Sequence, residues 1–360
     1  MTRSDALIVG GGPAGSTCAR LLRTAGWDVR VVDRARFPRD KVCAGWLTPE
    51  VFPLLDLTPE EYRATGLTLQ AFDGFRTGLI GDRRLVATDY PQTVSYAIRR
   101  CEFDDFLLRR ANVPVDQMNV TSIARTGSGW VVNDAIEARV LIGAGGHFCP
   151  VSRHLRGGRD TAEPVVAKEA EVKLDGRATR VAENTPELFF CRDLEGYAWV
   201  VRKGDYVNVG IGRRDKNDFG DHLDAFARYL EDTGVLAGAS SLKFHGHAYL
   251  AEGTGPRPIV DDGVVLIGDA VGLAYPESGE GIKPAIESGR LAAETLIASG
   301  GRATRADLRP YEDALRRSHP PAPHAPGPLH GVKTAVGRAL LGSSLFARHV
   351  VIDRWFLRRA

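Results

Sequence analysis

The chain lacks long apolar runs, carries almost no net charge and contains few cysteines, and each shortage argues against a class of protein. No segment approaches the roughly 18 consecutive apolar residues that a membrane-spanning helix needs. The 47 basic and 45 acidic residues leave a formal net charge of +2, which gives no argument for a nucleic-acid partner. The cysteines number five, with no C-x-x-C pair and no metal-ligand spacing: Cys18, Cys43, Cys101, Cys149 and Cys191. We therefore expect reduced thiols, no structural metal and a cytoplasmic location.

Glycine, by contrast, is abundant, with 40 residues in 360, and its most informative cluster follows the apolar run at 6–9. Gly10, Gly12 and Gly15 fit the pattern G-x-G-x-x-G between a predicted strand and a predicted helix, which is typical of dinucleotide binding. Gly10 suits the tight turn, Gly12 the close approach of a pyrophosphate, and Gly15 the packing of helix on strand. Pro13 and Ala14 open the helix, whose N-terminus favours the phosphates.

A second predicted strand, at 29–32, ends in Asp33 and Arg34. An acidic residue about 20 positions after the glycines is placed to accept hydrogen bonds from the hydroxyls of an adenosine ribose. We expect both residues to contact the cofactor. The alternative is a glycine-rich turn in an ordinary α/β protein, but the strand, the helix and the acid all agree with the cofactor interpretation.

A second cofactor motif lies more than 250 residues further on, where an apolar strand at 264–267 ends in Gly268 and Asp269. The Asp269 carboxylate is placed to accept hydrogen bonds from the ribityl chain of a flavin. The segment 276–282 then opens a helix, and the backbone at Gly279, Gly281 and Ile282 suits negative charge at the edge of a reduced flavin ring. We therefore expect FAD as the cofactor.

The element pattern predicts an α/β protein with a discontinuous Rossmann-type, three-layer FAD-binding domain, a mainly antiparallel α+β substrate domain and a C-terminal helical tail. The FAD-binding domain is expected at 1–69, 98–160 and 256–300, the substrate domain at 70–97 and 161–255, and the extension at 301–360 with a Pro-rich linker at 319–328.

With Arg100 in the segment 100–104, these motifs resemble the FAD-dependent oxidoreductases of the para-hydroxybenzoate hydroxylase fold, and among them the geranylgeranyl reductase family, which is related to flavin-dependent halogenases and monooxygenases. The segment 37–45 resembles the family's Lys-x-Cys-Gly loop, with one extra residue before Gly45. The segments 197–199 and 210–212 resemble its aromatic-x-Trp-x-Phe-Pro…Gly-x-Gly cavity motif, and 264–282 its Gly-Asp-Ala…Gly-Glu-Gly-Ile block. The resemblance covers about residues 5 to 300.

Three departures from the related families bear on the chemistry. The Phe-Pro of the cavity motif is replaced by Val200 and Val201, which changes the expected cavity shape. The halogenase motif Trp-x-Trp-x-Ile-Pro is absent, which argues against halogenation. The family's Asp-Gly-x-x-Ser-x-Val-Gly-Arg has Gly145 and Cys149 in place of Asp and Ser, so that direct reduction by NAD(P)H stays open beside another donor or a reductase partner.

The resemblance implies reduction of a C=C bond in an apolar, isoprenoid-like substrate by hydride transfer from reduced flavin. Tyr197 and Trp199 are expected to line the substrate cavity. A proton donor is also needed, and the candidates are Cys43, Lys41, His147 and Tyr197, with Lys41 expected at the cofactor as well. Two alternatives stay open: a FAD-dependent monooxygenase acting on a small aromatic or polyketide-like metabolite, and a FAD-binding protein with degraded activity.

Two further features lie outside these motifs: a pair of histidines and the C-terminal tail. His245 and His247 alternate on a predicted strand and therefore share one face. Two histidines at this spacing could bind a metal, but the sequence shows no third ligand, which favours a surface or packing role. The basic tail at 331–360 is expected to be a solvated amphipathic helix, with weak contact to an anionic membrane surface as the sharper alternative.

Overall fold

The computed structural model describes residues 1–158, 164–214, 217–251, 257–320 and 330–359, with the backbone only for 330–335. From residue 321 onward, the predicted Pro-rich linker at 319–328 lies outside the described residues. The strands, in chain order, are β1 (Thr2–Val9), β2 (Val29–Asp33), β3 (Trp46–Leu47), β4 (Gln70–Phe72), β5 (Gly74–Leu79), β6 (Val86–Asp89), β7 (Ser95–Ala97), β8 (Val115–Gln117), β9 (Ile123–Arg125), β10 (Trp130–Val132), β11 (Ile136–Gly143), β12 (Val165–Lys173), β13 (Glu187–Phe190), β14 (Gly196–Lys203), β15 (Tyr206–Arg213), β16 (His245–Tyr249), β17 (Val260–Asp261) and β18 (Val264–Leu266).

The helices are α1 (Pro13–Thr24), α2 (Val51–Leu54), α3 (Pro59–Ala64), α4 (Arg100–Ala111), α5 (Pro150–Leu155), α6 (Phe219–Asp232), α7 (Ile282–Ala298), α8 (Arg305–Ser318), α9 (His330–Leu341), α10 (Ser344–Phe346) and α11 (Ala347–Phe356), the last with π-type hydrogen bonding.

The first sheet has the strand order β17-β18-β11-β1-β2-β8, and the β9-β10 hairpin joins it through β10. β18, β11, β1, β2 and β8 run parallel. The apolar residues of β18, β11, β1 and β2 are buried, as in a sheet covered on both faces, whereas Val115 on the edge strand β8 is exposed. Val9 pairs with Gly143 and Gly143 with Leu266, so the carboxyl ends of β1, β11 and β18 meet at one edge. The predicted parallel layer is confirmed.

Helices α1 and α7 pack closely because Gly289 has no side chain. A Cβ atom at that position would lie 2.3 Å from the carbonyl oxygen of Ala14. Helix α8, in the segment predicted as a C-terminal extension, also belongs to this core: Leu308 and Leu315 are buried in it, and the Tyr311 hydroxyl donates to the Leu266 carbonyl oxygen at 2.6 Å.

The second sheet has the order β16-β12-β15-β14-β13-β5-β6, with one parallel pair, β5 and β13, among antiparallel neighbours. Helix α6 packs Phe226 and Leu230 into its core, beside Phe189. A small third sheet has the order β3-β7-β4 and carries Trp46 on β3. The mainly antiparallel second layer agrees with the predicted fold class.

The C-terminal helix α11 is packed against the protein, which differs from the expected solvated helix. Val351, Ile352, Phe356 and Leu357 are all buried in a cluster that also contains Trp46. Residues 351 and 356, like 352 and 357, are five apart, which matches the i to i+5 hydrogen bonding of a π-helix. The buried apolar residues of this segment therefore do not form one face when an α-helical period is assumed, so the sequence pattern did not predict their burial.

Candidate functional site

A cavity of about 490 Å³ lies at the carboxyl edge of the first sheet and extends to the second sheet. One end is lined by residues 32–35 and 118–120, and the other by aromatic side chains. The structure brings nearly all predicted site residues to this cavity: Gly10, Gly12, Pro13, Ala14, Asp33, Arg34, Lys41, Cys43, Arg100, His147, Tyr197, Trp199, Gly268, Asp269, Gly279, Gly281 and Ile282. Gly15 is the exception, because it lies behind the turn, where a Cβ atom would be 1.9 Å from the Gly10 carbonyl oxygen.

The glycine turn leaves open space at one position. Gly10 has φ +116°, and a Cβ atom there would lie 2.3 Å from the Ala144 carbonyl oxygen. At Gly12, by contrast, a Cβ atom would meet, among the residues that the structure describes, only the Arg39 guanidinium, at 3.5 Å, so the backbone faces the cavity. Within the described chain, helix α1 has neither a capping side chain nor an acid in its first turn, which leaves its N-terminus available to an anion.

Asp33 is held by backbone donors at the end of β2. The Gly11 N–H donates to its Oδ2 atom at 2.8 Å, and the Ala35 N–H donates to Oδ1 at 2.9 Å. A carboxylate oxygen accepts more than one hydrogen bond, so each retains capacity for a hydroxyl group. The position and the donors suit the predicted ribose contact.

A buried charge cluster lies beside the glycine turn. Arg100 donates to both carboxylate oxygens of Asp104, at 2.8 and 2.7 Å, and Arg39 lies 3.3 Å from the same carboxylate, which is fully buried. Burial opposes the charge on Arg100, but Asp104 and Cys43 outweigh it and raise its pKa. Burial lowers the pKa of Arg39, with Asp104 opposing. Two cations on one carboxylate leave a positive charge facing the cavity. Sequence analysis missed Arg39, although its basic side chain in the segment 37–45 was a usable signal.

Lys41 forms a hydrogen bond to His247, with the ammonium group donating to Nε2. Burial lowers the pKa of Lys41 to about 8, although Asp269 opposes this effect. Burial and the nearby Lys41 lower the pKa of His247 to about 3, so its imidazole is neutral and able to accept. His247 therefore has a contact in the site beyond the predicted packing role, whereas His245 is exposed. Within the described residues, no group of three or more His, Cys, Asp or Glu could hold a metal ion.

The Cys43 loop is attached to the second sheet through Asn208. The Gly45 N–H donates to the Cys43 Sγ atom at 3.3 Å, and the Asn208 amide lies 3.5 Å from the Cys43 carbonyl oxygen. Asn208 also donates to Glu169 at 3.1 Å and accepts from the Trp199 indole N–H at 2.7 Å. This buried side chain therefore links the loop to the aromatic end of the cavity.

Five aromatic side chains line the far end of the cavity: Trp46, Tyr197, Trp199, Tyr249 and Phe356. The Tyr197 hydroxyl donates to the Ser278 carbonyl oxygen, and burial raises the pKa of this tyrosine well above its ordinary value. Tyr197 and Trp199 therefore both line this cavity, and their role toward a substrate stays a prediction. Sequence analysis missed Trp46, Tyr249 and Phe356. Trp46 directly follows the segment 37–45, which resembles the family's Lys-x-Cys-Gly loop. Phe356 lies in the C-terminal tail, where no motif indicated a site residue.

The two cofactor motifs, separated by more than 250 residues in sequence, adjoin in space. A Cβ atom on Gly268 would lie 3.0 Å from the Ala14 Cβ atom, and one on Gly281 would lie 3.2 Å from the Asp269 carboxylate. Helix α7, like α1, has no capping side chain and no acid in its first turn among the described residues. Burial also raises the pKa of Glu280, which precedes this helix, to about 7.

The altered segment at 145–153 divides between the cavity and the core. Gly145 and His147 line the cavity, whereas Cys149 is 1% exposed and packs in the core of the first sheet. Burial raises the pKa of the Cys149 thiol. Cys149 therefore fills a core position and does not line the cavity.

These features define a FAD-dependent oxidoreductase, and comparison with known proteins agrees. The family model described as "FAD binding domain" matches residues 3–76. Menaquinone reductase of Mycobacterium tuberculosis (strain ATCC 25618 / H37Rv) is 30% identical over 336 residues, which cover 81% of this chain and 76% of the relative. Digeranylgeranylglycerophospholipid reductase 1 of Methanothermobacter thermautotrophicus is 27% identical over 342 residues, which cover 88% of this chain and 83% of the relative. The chain belongs to the geranylgeranyl reductase family.

A solved structure shows the same fold. The geranylgeranyl bacteriochlorophyll reductase-like protein of Thermoplasma acidophilum matches with a TM-score of 0.74 and 20% identity, over 95% of this chain and 88% of that one. Among the helices of the described segments, none combines the length and apolar character that crossing a membrane requires.

Proposed function

We propose that this FAD-dependent oxidoreductase reduces a C=C bond of an apolar, isoprenoid-like substrate. The observation that carries the proposal is the continuity of one cavity from the glycine turn to an aromatic end lined by Tyr197, Trp199 and Phe356. An aromatic lining suits an apolar chain, because burying such a chain removes apolar surface from water. Two relatives are named for reduction of menaquinone and of a digeranylgeranyl lipid, which supports the same substrate class.

The cofactor would lie along the cavity with its adenosine ribose at Asp33 and Arg34. Gly12, Pro13 and Ala14, at the open N-terminus of α1, would hold the pyrophosphate, and the charges of Arg39 and Arg100 would complement it. Asp269 would accept from the ribityl hydroxyls, and the backbone at 279–282 would contact the ring. FAD in its reduced form supplies the hydride for this class of reaction.

The substrate carbon that does not receive the hydride must gain a proton, and we propose Lys41 as its source. Its ammonium group lines the cavity, is held by neutral His247, and has a pKa of about 8, so it is protonated at neutral pH. Such a group transfers its proton more readily than an ordinary lysine does. Tyr197 is a weaker candidate, because burial raises its pKa and its proton is directed to Ser278. Cys43, which contacts Arg100, stays a second candidate.

Anaerobic turnover tests this function. Protein reduced with dithionite is incubated with geranylgeraniol, and the product is analysed by mass spectrometry against oxidised protein as the control. Gain of two hydrogen atoms without O2 supports the reductase. A product that contains oxygen and forms only in air supports the monooxygenase alternative instead. No product from protein that holds FAD supports the degraded-activity alternative.

We also propose weak contact between the segment 336–348 and an anionic membrane surface. Val336, Leu340 and Leu345 are 53%, 40% and 70% exposed, and exposed Arg338 lies among them. Apolar and basic side chains together favour the interface of an anionic bilayer. Sedimentation with phosphatidylglycerol vesicles, compared with phosphatidylcholine vesicles, tests the contact, and equal binding to both would contradict it.

We propose NAD(P)H as the electron donor, with another donor or a reductase partner as the alternatives. Anaerobic mixing with NADH or NADPH distinguishes them, because direct reduction bleaches the flavin absorbance of the purified protein alone. Bleaching that requires added cell extract favours a partner.

A further inference from the structure

The C-terminal tail contributes one wall of the cavity. Phe356, the last residue of α11, is 4% exposed and lines the aromatic end. Its ring stacks on Trp46, with centroids 5.2 Å apart and an interplanar angle of 29°, and meets Tyr197 edge-on at 5.3 Å. Trp46 in turn stacks on Phe75 at 5.1 Å, so Phe356 extends a column of three rings from the second-sheet core to the cavity.

Contacts on both sides of Phe356 hold this part of the tail in place. Before Phe356, Asp353 accepts a hydrogen bond from the Tyr90 hydroxyl at 2.6 Å, which attaches α11 to the second sheet. After it, Arg358 lies 3.4 Å from Glu277 and stacks over the Tyr275 ring at 3.9 Å, which attaches the tail to the segment before α7. Phe356 therefore lies between two attached residues, Asp353 and Arg358, whose contacts together define its position.

The other aromatic residues of this end come from the body of the protein. Trp46 lies on β3, Tyr197 and Trp199 on β14, and Tyr249 on β16. These four residues are held in place by the pairing of their strands. Phe356, in contrast, lies on the separate helix α11, which packs against the second-sheet residues. A change at residue 356 can therefore alter the size of the cavity without altering the strands that shape the rest of it.

We propose that Phe356 forms the end wall of the substrate cavity and limits the length of the apolar chain that this enzyme accepts. The inference deepens the proposed reductase function and rests on it. Replacing Phe by Ala removes six ring carbons, a volume comparable with one five-carbon isoprene unit. The space would be bounded by Trp46 and Tyr197, which suit an alkyl or alkenyl chain.

The test uses the full-length holoenzyme with Phe356→Ala and the milder Phe356→Leu. The matched control is Phe346→Ala, because Phe346 lies in the same tail and packs edge-on against Trp355 at 6.1 Å, outside the cavity lining. Saturated primary alcohols of increasing chain length are titrated into the oxidised protein, and binding is followed by tryptophan fluorescence. The same chain-length series of prenyl alcohols is then offered to the reduced protein.

We expect the preferred chain in Phe356→Ala to lengthen by about one isoprene unit, with affinity for the longer alcohol increased about tenfold. Phe356→Leu should shift in the same direction by less, and Phe346→Ala should keep the wild-type preference. An unchanged preference in both Phe356 variants that retain FAD would overturn the inference, and if Phe356→Ala does not fold, Phe356→Leu decides. Wild-type protein that binds the alcohols but reduces none of the prenyl series would overturn the proposed function, while the binding series still decides the role of Phe356.

Discussion

The indole ring of Trp199 lies against Gly210 on the neighbouring strand, with its Cζ2 atom 2.3 Å from the place where a Cβ atom of residue 210 would be. The two residues are paired in register between β14 and β15. The Trp199 indole N–H donates to Asn208, which lies two residues before Gly210 on β15, and this hydrogen bond orients the ring along β15. The glycine that follows the aromatic pair in the cavity motif therefore has a steric role: it makes room for the tryptophan ring.

Gly210→Ala should displace the Trp199 ring and change the cavity. Overpacking of this kind costs about 1–3 kcal/mol of unfolding free energy, and we expect the KM for an apolar substrate to rise about tenfold while bound FAD is retained. Urea unfolding and steady-state kinetics measure the two effects. Gly246→Ala is the matched control, because its nearest neighbour, Lys168, is 3.9 Å away. Equal behaviour of the two variants would contradict the steric role.

Gly12→Ala should fold normally and lose FAD. The nearest protein atom to a Cβ at this position, on Arg39, is 3.5 Å away, so the protein itself accommodates the methyl group. A pyrophosphate approaching the same backbone would not, and we expect the FAD dissociation constant to rise at least about tenfold, equivalent to about 1.4 kcal/mol. Fluorescence titration of the apoprotein measures the affinity and thermal unfolding checks the fold.

Gly220→Ala is the control for Gly12→Ala, because Gly220 lies on helix α6 and no atom of the described residues is within 4 Å of the added carbon. It should leave FAD affinity unchanged and raise stability by about 0.5–1 kcal/mol. If Gly12→Ala bound FAD as tightly as this control does, the phosphates would lie elsewhere in the cavity.

The reduction rate should fall above a pH of about 8, the pKa to which burial lowers Lys41. Below that pH the ammonium form is present and can donate its proton; above it the neutral amine accumulates, and the rate decreases about tenfold per pH unit. Lys41→Met should lower the rate about a hundredfold and remove this decrease of the rate at alkaline pH, the alkaline limb of the pH profile. Single-turnover rates from pH 6 to 10, with FAD occupancy measured at each point, test this.

His247→Gln is the companion variant, because an amide oxygen still accepts a hydrogen bond from the Lys41 ammonium group. It should keep the alkaline limb. A limb that persists in Lys41→Met would assign the proton to another group, with Cys43→Ser as the next variant to measure.

Asp104→Asn should destabilise the protein strongly. The substitution removes the negative charge between Arg100 and Arg39, and an uncompensated buried charge costs about 3–5 kcal/mol. Asp105→Asn, on the next residue of the same helix, breaks only a contact to Arg109, whose side chain is 74% exposed, and should cost about 0–1 kcal/mol. Urea unfolding of both apoproteins compares them directly, and similar midpoints would show that the cluster is dispensable for stability.

The cofactor end of the site was largely predictable because its constraints are local. A strand, three spaced glycines and a helix all lie within residues 2–24, and the steric demands at Gly10 and Gly15 leave few alternatives to glycine. The same holds for Gly268 and Asp269, which follow the buried strand β18 after one intervening residue. Parallel strands then bring both segments to one edge of the sheet, so two local predictions combine into one site.

The partner of Lys41 was not predictable in the same way. His247 lies 206 positions away on a strand of the other sheet, and the alternation of His245 and His247 indicated only a shared face. The buried link through Asn208 is similar, since an asparagine within a predicted strand carries no signal of the loop that it holds.

The sequence by itself determined the cofactor turn, the two acidic positions at strand ends and the family to which the chain belongs, because each of these depends on short motifs that can be recognised one at a time. Only the tertiary structure decided which residues close the aromatic end of the cavity. Trp46, Tyr249 and Phe356 come from three separate segments, and buried aromatic residues of this kind occur throughout protein cores. Their meeting in one cavity follows from the packing of the sheets and of the π-type turns of α11, whose period differs from that of an ordinary helix.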